Sequence, residues 1–99
     1  MLLRLSPRVP HDLEEIADFI AADSPRHALR VLRQLRAKMK EIAKQPELYR
    51  LRPELSADAR LATVDQYVIL FRIRRNAVRI ERVVHRGRDL PPMLDESES

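Results

Sequence analysis

Beyond Pro10 the apolar residues Leu13, Ile16, Ala17 and Ile20 recur every three to four positions, which predicts an amphipathic helix over about residues 9 to 22. Proline is tolerated in a first helical turn, and Asp12, Glu14 and Glu15 suit the positive end of the helix dipole. Ser24-Pro25 reads as a cap followed by a proline at the first position of a second helix. Its core face is Ala28, Leu32, Leu35, Met39 and Ile42, with Val31 and Leu29 widening the stripe and Pro46 marking the end. A helical hairpin follows, with an acidic first arm and a basic second arm. Exposed ion pairs contribute only about 0.2–1 kcal/mol each, so burial has to hold the hairpin together.

The period then changes. Leu2-Leu3-Arg4-Leu5 forms a short strand closed by Ser6-Pro7. From Gln45 to Ala59 the chain is polar and punctuated by Pro46 and Pro53, an ordered loop with Leu48, Leu51 and Leu55 as anchors. Arg60 to Val64, Tyr67 to Arg74 and Val78 to Val84 are rich in β-branched and aromatic residues, separated by the short turns Asp65-Gln66 and Arg75-Asn76. Turns this short permit only antiparallel pairing. The fold class is therefore α+β: an N-terminal strand, an antiparallel helical hairpin, then a three-stranded antiparallel meander with the hairpin on one face of the sheet. Val68-Ile69-Leu70-Phe71 is apolar on both faces, so the central strand is expected to need cover on its second face, which a partner could supply.

Composition narrows the function. Ninety-nine residues suit one domain, expected to span residues 1–94 with an acidic, flexible tail at 95–99. The absence of cysteine excludes disulfides, thiolate metal sites and cysteine nucleophiles, and points to a reducing cytoplasm. The N-terminal apolar run is too short for a signal peptide, and no stretch approaches the roughly 20 apolar residues of a membrane span. Three well-separated histidines and a single glycine give no metal, nucleotide or other cofactor site.

Nineteen Lys plus Arg against fifteen Asp plus Glu give a net charge of +4, and only Lys38, Lys40 and Lys44 are not arginine. The charge is segregated: residues 11–25 carry five acids and no Lys or Arg, whereas residues 26–44 carry seven bases against Glu41 alone. Ten arginines lie between residues 50 and 88. Such a surface fits nucleic acid and an acidic protein equally well. The four aromatics, Phe19, Tyr49, Tyr67 and Phe71, are few for a single-strand stacking platform.

Several strings, taken in order, resemble the RelE/ParE toxin superfamily over about residues 3 to 90. They are Leu5-Ser6-Pro7, the run Asp12-Leu13-Glu14-Glu15-Ile16-Ala17-Asp18-Phe19-Ile20-Ala21, Asp23-Ser24-Pro25 with Ala28, and Pro46. Arg52-Pro53-Glu54-Leu55, Tyr67 to Ile73, and Val78 to His85 with Arg88-Asp89 complete the set. The ending His85-Arg86-Gly87-Arg88-Asp89 after an Arg-Val-Val strand is similar to the ParE branch, known for inhibiting DNA gyrase. That resemblance implies a cytoplasmic toxin of a type II toxin–antitoxin system, not an enzyme, neutralised by a ParD-like acidic antitoxin.

RelE-like ribosome-dependent mRNA cleavage is the alternative. It needs basic side chains at a scissile phosphate and an acid/base group within reach. Arg60, Arg72, Arg82, His85, Arg86 and Arg88, with Tyr67, offer material for it. However, all three lysines lie on the second helix, and neither a Tyr nor a second His follows the last strand. The candidate target-binding residues are accordingly Arg60, His85, Arg86 and Arg88. The candidate antitoxin groove is Phe19, Val31, Leu35, Tyr67 and Phe71. For His85 a structural role, bonded to Asp89 or a loop carbonyl, is an equal alternative, and Arg88-Asp89 can equally form an ion pair that locks the turn. No sequence-specific nucleic-acid binding is expected of the toxin alone.

Overall fold

In the computed structural model, which describes residues 1–87, β1 (Leu2–Leu5) lies parallel to a strand more than seventy residues later in the chain. Between them come α1 (Arg8–Ala21), α2 (Pro25–Lys44) and a 3-10 turn (Pro46–Leu48), then β2 (Arg60–Val64), β3 (Tyr67–Arg74) and β4 (Ala77–His85). The sheet order is β1-β4-β3-β2, with antiparallel pairing in the meander. The Arg88-Asp89 pair and the acidic tail at 95–99 lie outside the described residues.

The α2 start follows its local chemistry: Ser24 Oγ accepts from the His27 backbone N–H at 3.1 Å, and Pro25 needs no partner for a missing donor. Ala28, Val31, Leu35, Met39, Ile42 and Ala43 form its buried face. Leu29 is 55% exposed and does not widen that face, because it lies well around the helix from Val31 and Leu35. The α1 helix begins at Arg8, so Asp12 falls in its second turn rather than its first, where no acid stands. Asp12 is instead buried beside β4. Among the described residues no ion pair joins α1 to α2; the hairpin is held by Val9, Leu13, Val31, Leu35, Met39 and Ile42 against the sheet.

Tyr67, Ile69 and Phe71 of β3 face this core. Val68 and Leu70 point the other way and are 4% and 0% exposed, so the chain itself closes the second face and no partner is required to cover it. In the loop, Leu48 and Leu51 are exposed rather than anchoring; Tyr49 takes that role, edge-on to Phe71 at 5.6 Å between ring centres. The β3–β4 turn has both Arg75 (φ 51°) and Asn76 (φ 61°) in the left-handed region, as a two-residue turn matched to the strand twist demands.

β4 contains a bulge. Ile80 pairs with Phe71 and Arg82 with Leu70, leaving Glu81 as the extra residue. The phase of β4 therefore shifts by one, so Val78 and Ile80 are joined in the core by Val83 rather than by Arg82. Without the extra residue an arginine would be driven into the apolar interior.

Candidate functional site

β1 pairs with β4 only as far as Ile80, and the side chains just beyond β1 take over the exposed edge. Ser6 donates its N–H to the Ile80 carbonyl at 2.8 Å and its hydroxyl to the Glu81 carbonyl at 2.7 Å. Asp12 accepts the Val83 N–H at 2.9 Å and both Arg82 Nε and a terminal Arg82 nitrogen at 2.8 and 3.0 Å. The Asp12 hydrogen bonds, reinforced by its charge and that of Glu15, hold the Arg82 guanidinium above its ordinary pKa even though burial works against it.

Past that point the edge is open. By the alternation of the ladder, the Val83 carbonyl and the His85 N–H point the same way as the Val83 N–H. No hydrogen-bond partner for either occurs among the described residues. A groove of about 570 Å³ runs along this edge, walled by Asp12, Glu15, Ile16, Asp18 and Phe19 of α1 and floored by Tyr67 and Arg82 to His85. Phe19 is 78% exposed on its lip. A second depression of about 260 Å³ shares Phe19, Tyr67 and His85 and ends at the Asp65-Gln66 turn. The Tyr67 and His85 rings meet edge-on at 5.6 Å. Burial, and secondarily the Asp65 charge, push the Tyr67 hydroxyl above its ordinary value of 10.0.

Phe19 and Tyr67 thus come together as the sequence pattern anticipates. Val31, Leu35 and Phe71 do not: at 1%, 0% and 0% exposure they are core residues, because each sits on the face where hairpin and sheet meet, and they line no groove. Of the target-binding candidates, His85 and Arg86 are neighbours at one end of the sheet. His85 Nδ1 accepts from the Gly87 N–H at 3.1 Å, and exposed Arg86 reaches the Asp65 carbonyl at 3.3 Å. Arg60 is not with them. Its pairing with Phe71 sets it four residues from the Tyr67–His85 pair, roughly 13 Å along a strand, and it donates to the Tyr49 carbonyl at 2.6 Å. Arg88 lies outside the described residues.

One feature escaped sequence reasoning, and the basic second helix was read without its orientation. Asp12 lies off the Val9, Leu13, Ile16 and Ile20 stripe of α1, on the same side as Phe19 one heptad later, and is buried only because Arg82 and the Val83 N–H of β4 meet it; that long-range partner was the missing information. The α2 surface opposite its core carries Arg26, Arg30, Arg33, Lys40 and Lys44, all exposed, on one stripe. That spacing was present in the sequence, and only the burial of the other face orients it outward.

No helix among the described residues is long and apolar enough to cross a membrane, and no group of three or more His, Cys, Asp or Glu there could hold a metal ion. No match occurs among the curated proteins. Among solved structures, a chain described as "Chromosomal ParDE TA system from P. aeruginosa" is similar in fold, with a TM-score of 0.75 at 20% identity, covering 86% of this chain and 95% of that one. The family model for the ParE toxin of type II toxin-antitoxin systems, parDE, matches residues 3–90. With almost the whole described chain inside that span, this protein belongs to the ParE toxin family of type II toxin–antitoxin systems.

Proposed function

We propose that the protein inhibits DNA gyrase by binding it, and is neutralised by a ParD-like antitoxin whose C-terminal arm lies across the groove beside α1. The observation that carries the antitoxin half of this reading is Phe19, a large apolar side chain 78% exposed at the lip of a groove that ends on an open strand edge. Such a surface suits an extended or helical segment that inserts apolar anchors beside Phe19 and Tyr67. Glu15 and Asp18 stand on the same rim, so the segment there carries apolar or basic residues. The acidic part of the arm meets the Arg26, Arg30, Arg33, Lys40 and Lys44 stripe of α2.

Binding rather than catalysis is supported by how the candidate groups are spent. Arg60 is tied to a loop carbonyl and separated from His85 and Arg86. Tyr67, with a raised pKa, is a poor general base at neutral pH.

Purified protein should block gyrase supercoiling or stabilise cleaved DNA, and added antitoxin should relieve the block. mRNA cleavage in a translation reaction with gyrase untouched would overturn the reading. Phe19→Ala should weaken antitoxin binding by about tenfold, as expected for a buried aromatic anchor, while the thermal midpoint hardly moves. An unchanged affinity would remove the groove from the interface.

A further inference from the structure

The parallel pairing of β1 and β4 sets Arg4 beside Arg79, and the antiparallel pairing of β4 and β3 sets Arg79 beside Arg72. One row of three arginines therefore crosses three strands on the sheet face away from the helices. Like charges directly opposite one another destabilise a sheet unless something offsets them. Buried Glu81 does part of this, contacting Arg72 Nε at 3.1 Å and Arg79 Nε at 3.0 Å, and Asp58 contacts Arg74 at 3.0 Å and Arg72 at 3.4 Å. Among the described residues two carboxylates contact Arg72, Arg74 and Arg79, Arg72 and Arg74 having further interactions besides, and neither Arg4 nor Arg75 contacts a carboxylate. Arg4, Arg74, Arg75 and Arg79 line one cavity of about 230 Å³, with Ala77 as the only other described residue in its wall.

We propose that this cavity binds the phosphodiester backbone of double-stranded DNA. The planar guanidinium fork matches two phosphate oxygens at once, and every cation in the lining is arginine. No aromatic among the described residues lines it to stack an unpaired base, which favours a duplex over a single strand. Ala77 alone gives nothing for the apolar anchors of an acidic protein helix, which favours phosphate over a protein carboxylate. The cavity lies by the Arg75-Asn76 turn, seven residues along β3 from Tyr67 and so roughly 23 Å from the groove. Antitoxin and DNA would not compete for the same atoms. Contacts of this kind carry no sequence information; they hold the toxin on a target that is itself DNA-bound. The inference deepens the gyrase reading but is tested without gyrase.

The test measures fluorescence anisotropy of a labelled mixed-sequence duplex titrated with the full-length toxin over a range of salt. Wild type should bind at low salt. Arg4→Gln with Arg75→Asn should weaken binding by about tenfold or more and lower the slope of log affinity against log salt by about 2, one per lost phosphate contact. Both positions are exposed and asparagine accepts a left-handed backbone, so the thermal midpoint should not fall. Arg36→Gln, exposed on α2 outside the basic stripe, should leave duplex binding unchanged. Absent wild-type binding, or an unaltered salt slope in the double variant, would overturn the proposal. So would a poly-glutamate peptide that outcompetes the duplex at equal charge, since the site would then be one for an acidic protein. Gyrase inhibition that persists in the double variant, with duplex binding lost, would separate this site from the inhibitory function.

Discussion

Two buried carboxylates meet at the β4 bulge, Glu81 within it and Asp12 against the residues that follow, and they are used in opposite ways. Asp12, 6% exposed, meets one guanidinium in a two-point grip and one backbone N–H, so a single negative charge faces a single positive one. Glu81, 2% exposed, places one oxygen between two guanidinium groups, and its other oxygen meets no hydrogen-bond donor among the described residues. The first arrangement is closed and serves the fold, because it seals the strand edge where β1 stops. The second shares one carboxylate between two arginines, on the sheet face where Arg4 and Arg75 contact no carboxylate among the described residues. A buried acid next to arginine is therefore no guide to function by itself; the balance of charge around it is.

The comparison breaks most readily at Glu81. Glu81→Gln removes one of the carboxylates beside Arg72, which is 1% exposed and keeps Asp58 at 3.4 Å, and should destabilise the protein by about 3 kcal/mol, the lower end of the range for breaking a buried pair from one side. A urea titration reads this directly. Replacing Glu81 and Arg72 together by Leu and Met should recover most of the loss, since the penalty comes from keeping the Arg72 guanidinium buried with less compensation. A double variant as unstable as the single would mean that Glu81 acts by shape rather than charge.

Asp12→Asn should lower stability by about 2 kcal/mol, through the charged hydrogen bonds to Arg82 and the misfit left at the Val83 N–H. The smaller loss follows from Arg82, which keeps 23% exposure and can turn to water. Amide exchange at Val83 should quicken in this variant while exchange in β3 stays slow. Equal acceleration across the sheet would show that Asp12 supports the whole fold.

Element order and most boundaries were legible in the sequence, because hydrophobic period and punctuation act locally. Ser24-Pro25 starts α2 where a cap and a proline must, and two pairs of turn residues divide the meander. The long-range features were not legible. Nothing in Leu2-Leu3-Arg4-Leu5 states that it pairs parallel with β4, yet that pairing creates the Arg4–Arg79 neighbours and brings Ser6 to Glu81. The bulge was equally hidden, since strict alternation over Val78 to Val84 puts Arg82 in phase with Ile80. Among groove candidates, Val31, Leu35 and Phe71 are apolar for the same reason as any core residue. Phe19 differs in a readable way: it lies about 80° around α1 from the Val9, Leu13, Ile16 and Ile20 stripe, where an aromatic has no core to enter.

Arg75 offers a milder perturbation of the basic side. Held at φ 51° without the tolerance of glycine or asparagine, it stores strain that Arg75→Asn should relieve, raising stability by up to about 1 kcal/mol. A gain in thermal midpoint together with weaker duplex binding would show that turn geometry was sacrificed to keep a guanidinium there. A loss of stability would instead assign the arginine a structural contact.

The finest test uses acid. Burial works against the Asp58 charge, but hydrogen bonds from Ser56 and Arg74 and the charges of Arg72 and Arg74 outweigh it, so its carboxyl lies below the ordinary 3.8. A carboxyl depressed in the folded state adds stability that is fully present above its unfolded pKa and disappears as pH falls through the folded one. The Asp58 contribution should therefore be constant at neutral pH and decline only below about pH 4. Asp58→Asn should start slightly less stable at pH 7 and fall less steeply, and the two stability curves should converge in acid. If they run parallel at every pH, Asp58 holds the loop to β3 through hydrogen bonds alone, and its charge is not part of the balance on the arginine face.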